Sequence, residues 1–196
     1  MIKKTIYLLR HGQTQFNAEL RLQGRCNSPL TALGKLQAQA VGEVLMQRIY
    51  SVDEWAFYVS PLGRAVQTAE IICQQIGFPI AQLQKDARLI EFGLGDWEQQ
   101  RVPDIKQNQP ELSHIVDWYT YAPNAESFAS ITERLKDWLN DPSVPERVIV
   151  VSHALSGAVF RGIYADLDYQ ALWAQDMPQD AFFKLEDGKV IKIQCL

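Results

Sequence analysis

Two of the chain's three histidines, His11 and His153, each stand directly after an apolar run, Thr5 to Leu9 and Arg147 to Val151. Arg10 precedes the first and Ser152 the second, while a third run, Ala56 to Val59, leads through Ser60-Pro61 to Arg64. These residue types share one chemistry. Guanidinium groups offer a rigid fork of donors that matches phosphate oxygens. A neutral imidazole is a capable nucleophile towards phosphorus, and a second, protonated one can stabilise charge on the equatorial oxygens. Phosphate monoesters hydrolyse so slowly in water that their catalysts reach rate enhancements of about 10²¹. One hydrogen bond cannot supply that; several preorganised cations can.

For those groups to meet, the three runs must be neighbouring strands. Ile149-Val150-Val151 is apolar on consecutive positions, as in strands covered on both faces. Between the runs lie helical patterns. Thr31 is an N-cap candidate for a helix reaching about Arg48. Gly63 to Ile76 places Ala65, Ala69, Ile72 and Ile76 at helical spacing, and Ser127 to Leu139 does so with Phe128, Ile131, Leu135, Trp138 and Leu139. This alternation predicts an α/β protein with a mainly parallel central sheet and flanking helices. In such a sheet ligands bind beyond the carboxyl ends of the strands, where Arg10, His11, Arg64 and His153 would fall. Phe182 to Leu185 and Val190 to Ile193, joined by Asp187-Gly188, read as a closing hairpin. Residues 98–125 read as an inserted lobe of short helices, either a lid or a surface excursion. Its aromatics Trp118, Tyr119 and Tyr121 either wall a pocket or pack the lobe onto the core.

Composition narrows the setting. A chain of 196 residues, 47% hydrophobic and 21% charged, suffices for one domain over 1–196 without disulfide or metal support. The net charge of -4 disfavours a nucleic-acid surface, and no apolar run reaches the roughly 20 residues of a membrane span. Met1-Ile2-Lys3-Lys4 starts like an export signal, but the apolar stretch breaks at Arg10-His11. Three scattered cysteines, Cys26, Cys73 and Cys195, exclude a disulfide scaffold and fit a cytoplasmic location. No metal-ligand spacing is present, so neither metal nor cofactor is expected. Oligomeric state is not encoded in any feature of the sequence.

The motifs resemble those of the histidine phosphatase superfamily, the phosphoglycerate-mutase-like proteins. Leu9-Arg10-His11-Gly12-Gln13-Thr14-Gln15-Phe16-Asn17 is similar to the family signature. Gln23-Gly24 with Pro29-Leu30-Thr31 and Gly34, then Ser60-Pro61-Leu62-Gly63-Arg64-Ala65, resemble the next two blocks. Leu89-Ile90-Glu91 with Gly95-Asp96-Trp97-Glu98, and Val151-Ser152-His153, complete five blocks in family order. The resemblance implies a three-layer α/β/α fold acting on a small phosphorylated substrate. It makes His11 the nucleophile that becomes a phosphohistidine, with Arg10, Arg64, His153 and Asn17 binding phosphate. Glu91 would be the proton donor to the leaving oxygen and later the base that activates water, which requires it to hold a proton near neutral pH.

Departures from the pattern are Ala154 and Leu155 after the second histidine, Gln99 and Ala125 at common glycine positions, and Asn27 where aspartate is frequent. None removes a catalytic group; Leu155 brings bulk near or behind the phosphate site. Phosphomonoester hydrolysis is the favoured activity. Mutase-type phosphotransfer is the closest rival, disfavoured because the stretch between Glu91 and His153 is short. A non-catalytic phospho-ligand binder has no need of a proton donor. Ser156-Gly157 lacks the first glycine of a nucleophile elbow. Cys26 reads as a passive loop residue and His114 as a surface one.

Overall fold

The computed structural model describes residues 4–195, so of the charged start only Lys4 lies within it and Met1 to Lys3 lie outside the described residues. In chain order the elements are β1 (Thr5–Arg10), α1 (Gln15–Ala18), α2 (Ala32–Met46), β2 (Ala56–Val59), α3 (Gly63–Ile76), β3 (Gln84–Lys85) and α4 (Val102–Asn108). They continue with α5 (Phe128–Asn140), β4 (Arg147–Ser152), α6 (Ala154–Tyr164), α7 (Tyr169–Trp173), β5 (Ala181–Glu186) and β6 (Lys189–Gln194). The sheet runs β3-β2-β4-β1-β5-β6. Its first four strands are parallel, and β5 and β6 add an antiparallel hairpin at one edge.

Alternation along each strand sends side chains to opposite faces and so builds two cores. Ile6, Leu8, Val148 and Val150 pack with Leu135, Trp138, Val159 and Phe160 of α5 and α6. Tyr7, Leu9, Ile149 and Val151 pack with Val41, Leu45, Ala69 and Ile72 of α2 and α3. The result is the three-layer α/β/α arrangement.

The helices start where side chains satisfy their first N–H groups. Thr31 Oγ1 accepts from Gly34 N at 3.0 Å, and Ser127 Oγ from Ser130 N at 3.1 Å. Helix α3 lacks a local cap; instead Asn27 Oδ1 accepts from Arg64 N at 3.0 Å. An amide oxygen serves that cap as a carboxylate would, so Asn27 for aspartate leaves the helix start intact. Gln99 adopts φ +69°, the left-handed region that explains why glycine is common there.

Four elements were not expected: α1, β3, α6 and α7. Strand β3 has only two residues, both exposed, and carries no apolar signal. Helix α6 buries all but two of its residues, so it shows no amphipathic period to read. The lobe folds as α4 plus 3₁₀ turns at Pro110–His114 and Trp118–Tyr121. It does both things considered for it: Trp118 is buried in the core, Tyr119 lines a cavity, and Tyr121 is exposed.

Candidate active site

Register brings the two histidines together. Arg10 pairs with Ser152 across the β1–β4 ladder, so His11 and His153 are the next residues on adjacent parallel strands. Their ring centroids lie 5.2 Å apart. Val59 pairs with Val151, which places Ser60 at the same edge. Close backbone approach turns the chain away: a Cβ on Gly12 would lie 2.2 Å from Gly34 O.

Hydrogen bonding sets the His11 tautomer. Its Nδ1 faces Gly12 O at 2.8 Å, and a carbonyl only accepts, so Nδ1 carries the proton. Nε2 is therefore a lone-pair atom, and it accepts from Arg64 Nε at 3.1 Å. Burial, then the charges of Arg64 and Arg10, push His11 well below the usual imidazole value despite the Gly12 bond. Arg64, itself fully buried, is held by Cys26 O and Gly24 O, each at 2.7 Å. Burial brings its guanidinium down to about 10.

His153 Nε2 lies 2.7 Å from Ser60 Oγ, while its buried Nδ1 has no partner among the described residues. Ser60 Oγ also accepts from Leu62 N at 3.4 Å, which holds the hydroxyl beside the ring. The sequence suggested a protonated second imidazole. Burial, with the charges of Arg64, His11 and Arg10, instead pushes His153 well below the usual imidazole value.

Arg10 donates from Nη1 to Met177 O and keeps a buried, unpartnered Nε. Burial lowers its guanidinium, partly opposed by Glu91. Asn17 caps α1 reciprocally with Thr14: its Oδ1 accepts from Thr14 N at 3.1 Å and from Gln179 Nε2 at 3.2 Å. That leaves the amide NH₂ as the group Asn17 offers the cavity it lines. Glu91 lies at the N-terminus of α6. Its Oε1 accepts from Phe92 N and Ser156 N, both at 2.9 Å, and its Oε2 from Ala154 N at 3.1 Å and Leu155 N at 3.3 Å.

Arg10, His11, Asn17, Arg64 and Glu91 all line one cavity of about 340 Å³. His153 lies behind it, on a cavity of about 20 Å³ that also touches Arg10 and Ala154. Leu155 contributes its N–H to Glu91, joins the core and also lines the same cavity as the catalytic candidates.

The secondary motifs resolve simply. Ser156 is fully buried and donates to Ile90 O at 2.6 Å, which disqualifies it as a nucleophile. Cys26 donates to Glu98 Oε2 at 3.1 Å, and burial with that contact raises its thiol, the setting of an inert cysteine. His114 is exposed. Among the described residues no cluster of three His, Cys, Asp or Glu side chains could hold a metal, and no helix is long and apolar enough to cross a membrane.

Sequence reasoning missed the supports. Gln179 braces His11 O at 3.3 Å as well as Asn17. On α5, Arg134 forms a two-pronged pair with Glu126 at 2.8 and 3.0 Å. The same guanidinium donates to Arg88 O at 2.6 Å and Glu91 O at 3.4 Å, gripping the segment that carries the acid. No spacing in the sequence links these residues to the site.

The family profile described as "Histidine phosphatase superfamily (branch 1)" matches residues 6–186. A "Probable phosphoglycerate mutase GpmB" of Salmonella paratyphi C is 42% identical over 157 residues, covering 77% of this chain and 70% of the relative. The solved structure of Bacillus stearothermophilus YhfR superposes with a TM-score of 0.76 at 30% identity, covering 97% of this chain and 96% of that one. A mycobacterial glucosyl-3-phosphoglycerate phosphatase, Rv2419c, complexed with VO3, superposes with a TM-score of 0.75 at 25% identity, covering 98% of both chains.

Proposed function

The chain belongs to the histidine phosphatase superfamily, and on that premise we propose that it hydrolyses small phosphomonoesters through a phosphohistidine on His11, without a metal. The observation that carries this reading is the His11 tautomer: Nδ1–H is tied to Gly12 O, and Nε2 presents its lone pair beside Arg64. Phosphate oxygens take the N–H groups of Arg10, Arg64 and Asn17, with the His153 ring as a further donor from behind. Nε2 then attacks phosphorus as the ester P–O bond breaks, and Glu91 passes a proton to the departing oxygen. In the second half water attacks phosphorus, the P–N bond breaks, and Glu91 takes the water's proton.

Glu91 enters this cycle as a fourfold acceptor of N–H bonds, an environment suited to a carboxylate. The proton it passes to the leaving oxygen is taken up from solvent, because a phosphate dianion carries none, and the water's proton returns there after hydrolysis.

The test is turnover of an aryl phosphate with trapping of labelled phosphate on the protein. Wild-type protein should label and turn over, unaffected by chelator, and His11→Ala should do neither. Turnover by His11→Ala, or its loss to chelator, refutes the assignment. The relatives named probable phosphoglycerate mutases favour phosphotransfer as the second reading. A phosphometabolite screen with and without a bisphosphoglycerate separates the two: dependence on the bisphosphate marks a mutase.

A further inference from the structure

One buried cation has no place in the reaction proposed above. Arg161 of α6 is 3% exposed, yet it does not line the cavity that His11 lines; it lies on the small cavity behind, with Arg10, His153 and Met177. Burial brings its guanidinium down to about 10, so it is charged at neutral pH. Its acidic neighbour Asp176 is exposed, stands 3.8 Å away and pairs more closely with Lys192, at 2.5 Å. A buried ion so weakly paired costs stability, and an apolar side chain of similar volume would pack as well.

What Arg161 holds is a stretch of chain. Its Nη2 donates to Asp176 O at 2.6 Å and its Nε to Gly157 O at 3.3 Å within α6. Its guanidinium carbon lies 3.8 Å from the centroid of the Phe183 ring on β5. Between those two grips the chain runs through residues 176–180, outside any helix or strand. Two groups of the phosphate site lean on it. Met177 O accepts from Arg10 Nη1, and Gln179 Nε2 donates to Asn17 Oδ1 at 3.2 Å and to His11 O at 3.3 Å.

We propose that residues 176–180 form a strap that aims Arg10 and Asn17 at phosphate, and that Arg161 is the positioning residue that fixes where the strap lies. The proposal rests on the phosphate-site reading above and adds the device that orients two of its donors. A guanidinium suits the task because its rigid fork ties α6 to the strap in one plane while its face stacks on Phe183.

Calorimetric titration with inorganic phosphate, which needs no turnover, reads the aim of these groups directly. Arg161→Met keeps an apolar stem against Phe183 and strands no buried carboxylate, because Asp176 is exposed, so thermal unfolding should stay near that of wild type. Phosphate binding should nonetheless weaken by about tenfold, the worth of one well-aimed hydrogen bond to a charged group. Arg161→Lys, which retains a donor for Asp176 O, should recover most of the affinity. Gln179→Ala frees the far end of the strap and should weaken binding by itself. The double variant should lose little more than the weaker-binding single one, because both act through the same segment. Unchanged phosphate affinity in folded Arg161→Met or in Gln179→Ala, or losses that multiply in the double variant, overturns the proposal. Wild-type protein that binds phosphate but turns over no aryl phosphate sinks the hydrolytic reading alone, and the affinities still decide this one. Wild-type protein that binds no phosphate overturns both.

Discussion

Replacing Arg134 with methionine should expose how the acid segment is held. The pair it forms with Glu126 is nearly dry, with side-chain exposures of 14% and 4%. Glu126 also accepts from Gly93 N at 3.2 Å and Ser130 Oγ at 3.1 Å and keeps a longer pair with the exposed Arg25 at 3.5 Å, so losing Arg134 leaves a buried carboxylate underpaired along with the carbonyls of Arg88 and Glu91. Breaking such a pair by removing one partner costs about 3–5 kcal/mol. In a chain of this size each kcal/mol shifts Tm by roughly 2–4 °C, so a fall of about 10 °C is expected. Adding Glu126→Gln removes the stranded charge and keeps an acceptor for Gly93 N–H, so the double variant should recover about half of the loss. Burial pushes the Glu126 carboxyl up, but Arg134, Gly93 N–H and Ser130 outweigh it and hold it below the usual range. A depressed carboxyl stabilises the fold above its unfolded value, about 4.3, and that contribution is lost as pH falls through the folded value. The gap between wild type and Arg134→Met, measured by urea unfolding across pH, should therefore be full at pH 7 and shrink under acid. In activity, a loosened Glu91 should cost more on alkyl than on aryl phosphates, whose leaving groups need less protonation. A double variant no more stable than Arg134→Met, or equal losses on both ester classes, would refute the reasoning.

Other outcomes follow from the same site. Because burial and two guanidiniums push His11 well below 6.5, it stays a free base through neutral pH; kcat/KM measured from pH 5.5 to 8 should show no ionisation at the ordinary imidazole value. Ser60→Ala removes the hydroxyl that holds the His153 ring and leaves Nε2 unpaired, at a cost of about 1–3 kcal/mol. Thermal unfolding should report that cost and turnover should fall by about tenfold or more, whereas wild-type turnover would remove Ser60 as the group that positions His153. Glu91→Gln should keep a folded protein with most of its α6 N–H bonds, yet lose more rate on alkyl than on aryl phosphates. Equal losses there would count against Glu91 as the acid.

Legibility in the sequence tracked amphipathic contrast. Helix α3 was readable to its ends because apolar residues recur on one face and Gly77 follows in the left-handed region, φ +74°. Helix α6 was unreadable because burial on nearly every side erases the contrast. The site divided in a similar way. His11, Arg64 and His153 were legible because each follows a strand, and strand ends are where an open sheet binds ligands. Asn17 and Glu91 were legible only through resemblance, since neither stands at a strand end. Gln179, Ser60's partnership with His153, and the Arg134 grip were illegible, because each joins residues far apart in the chain through one side-chain contact.

Sequence alone determined the residue types, the strand ends that bear them and the layered fold, since hydrophobic period and cap chemistry act over a few residues. Tertiary structure decided which ring nitrogen of His11 is free, that burial and neighbouring guanidiniums depress both imidazoles, and that Lys106 reaches the cavity from a lobe. Tautomer, protonation and charge balance depend on which polar groups burial brings within a few ångströms, and that distance is a property of the packed chain rather than of any stretch of it.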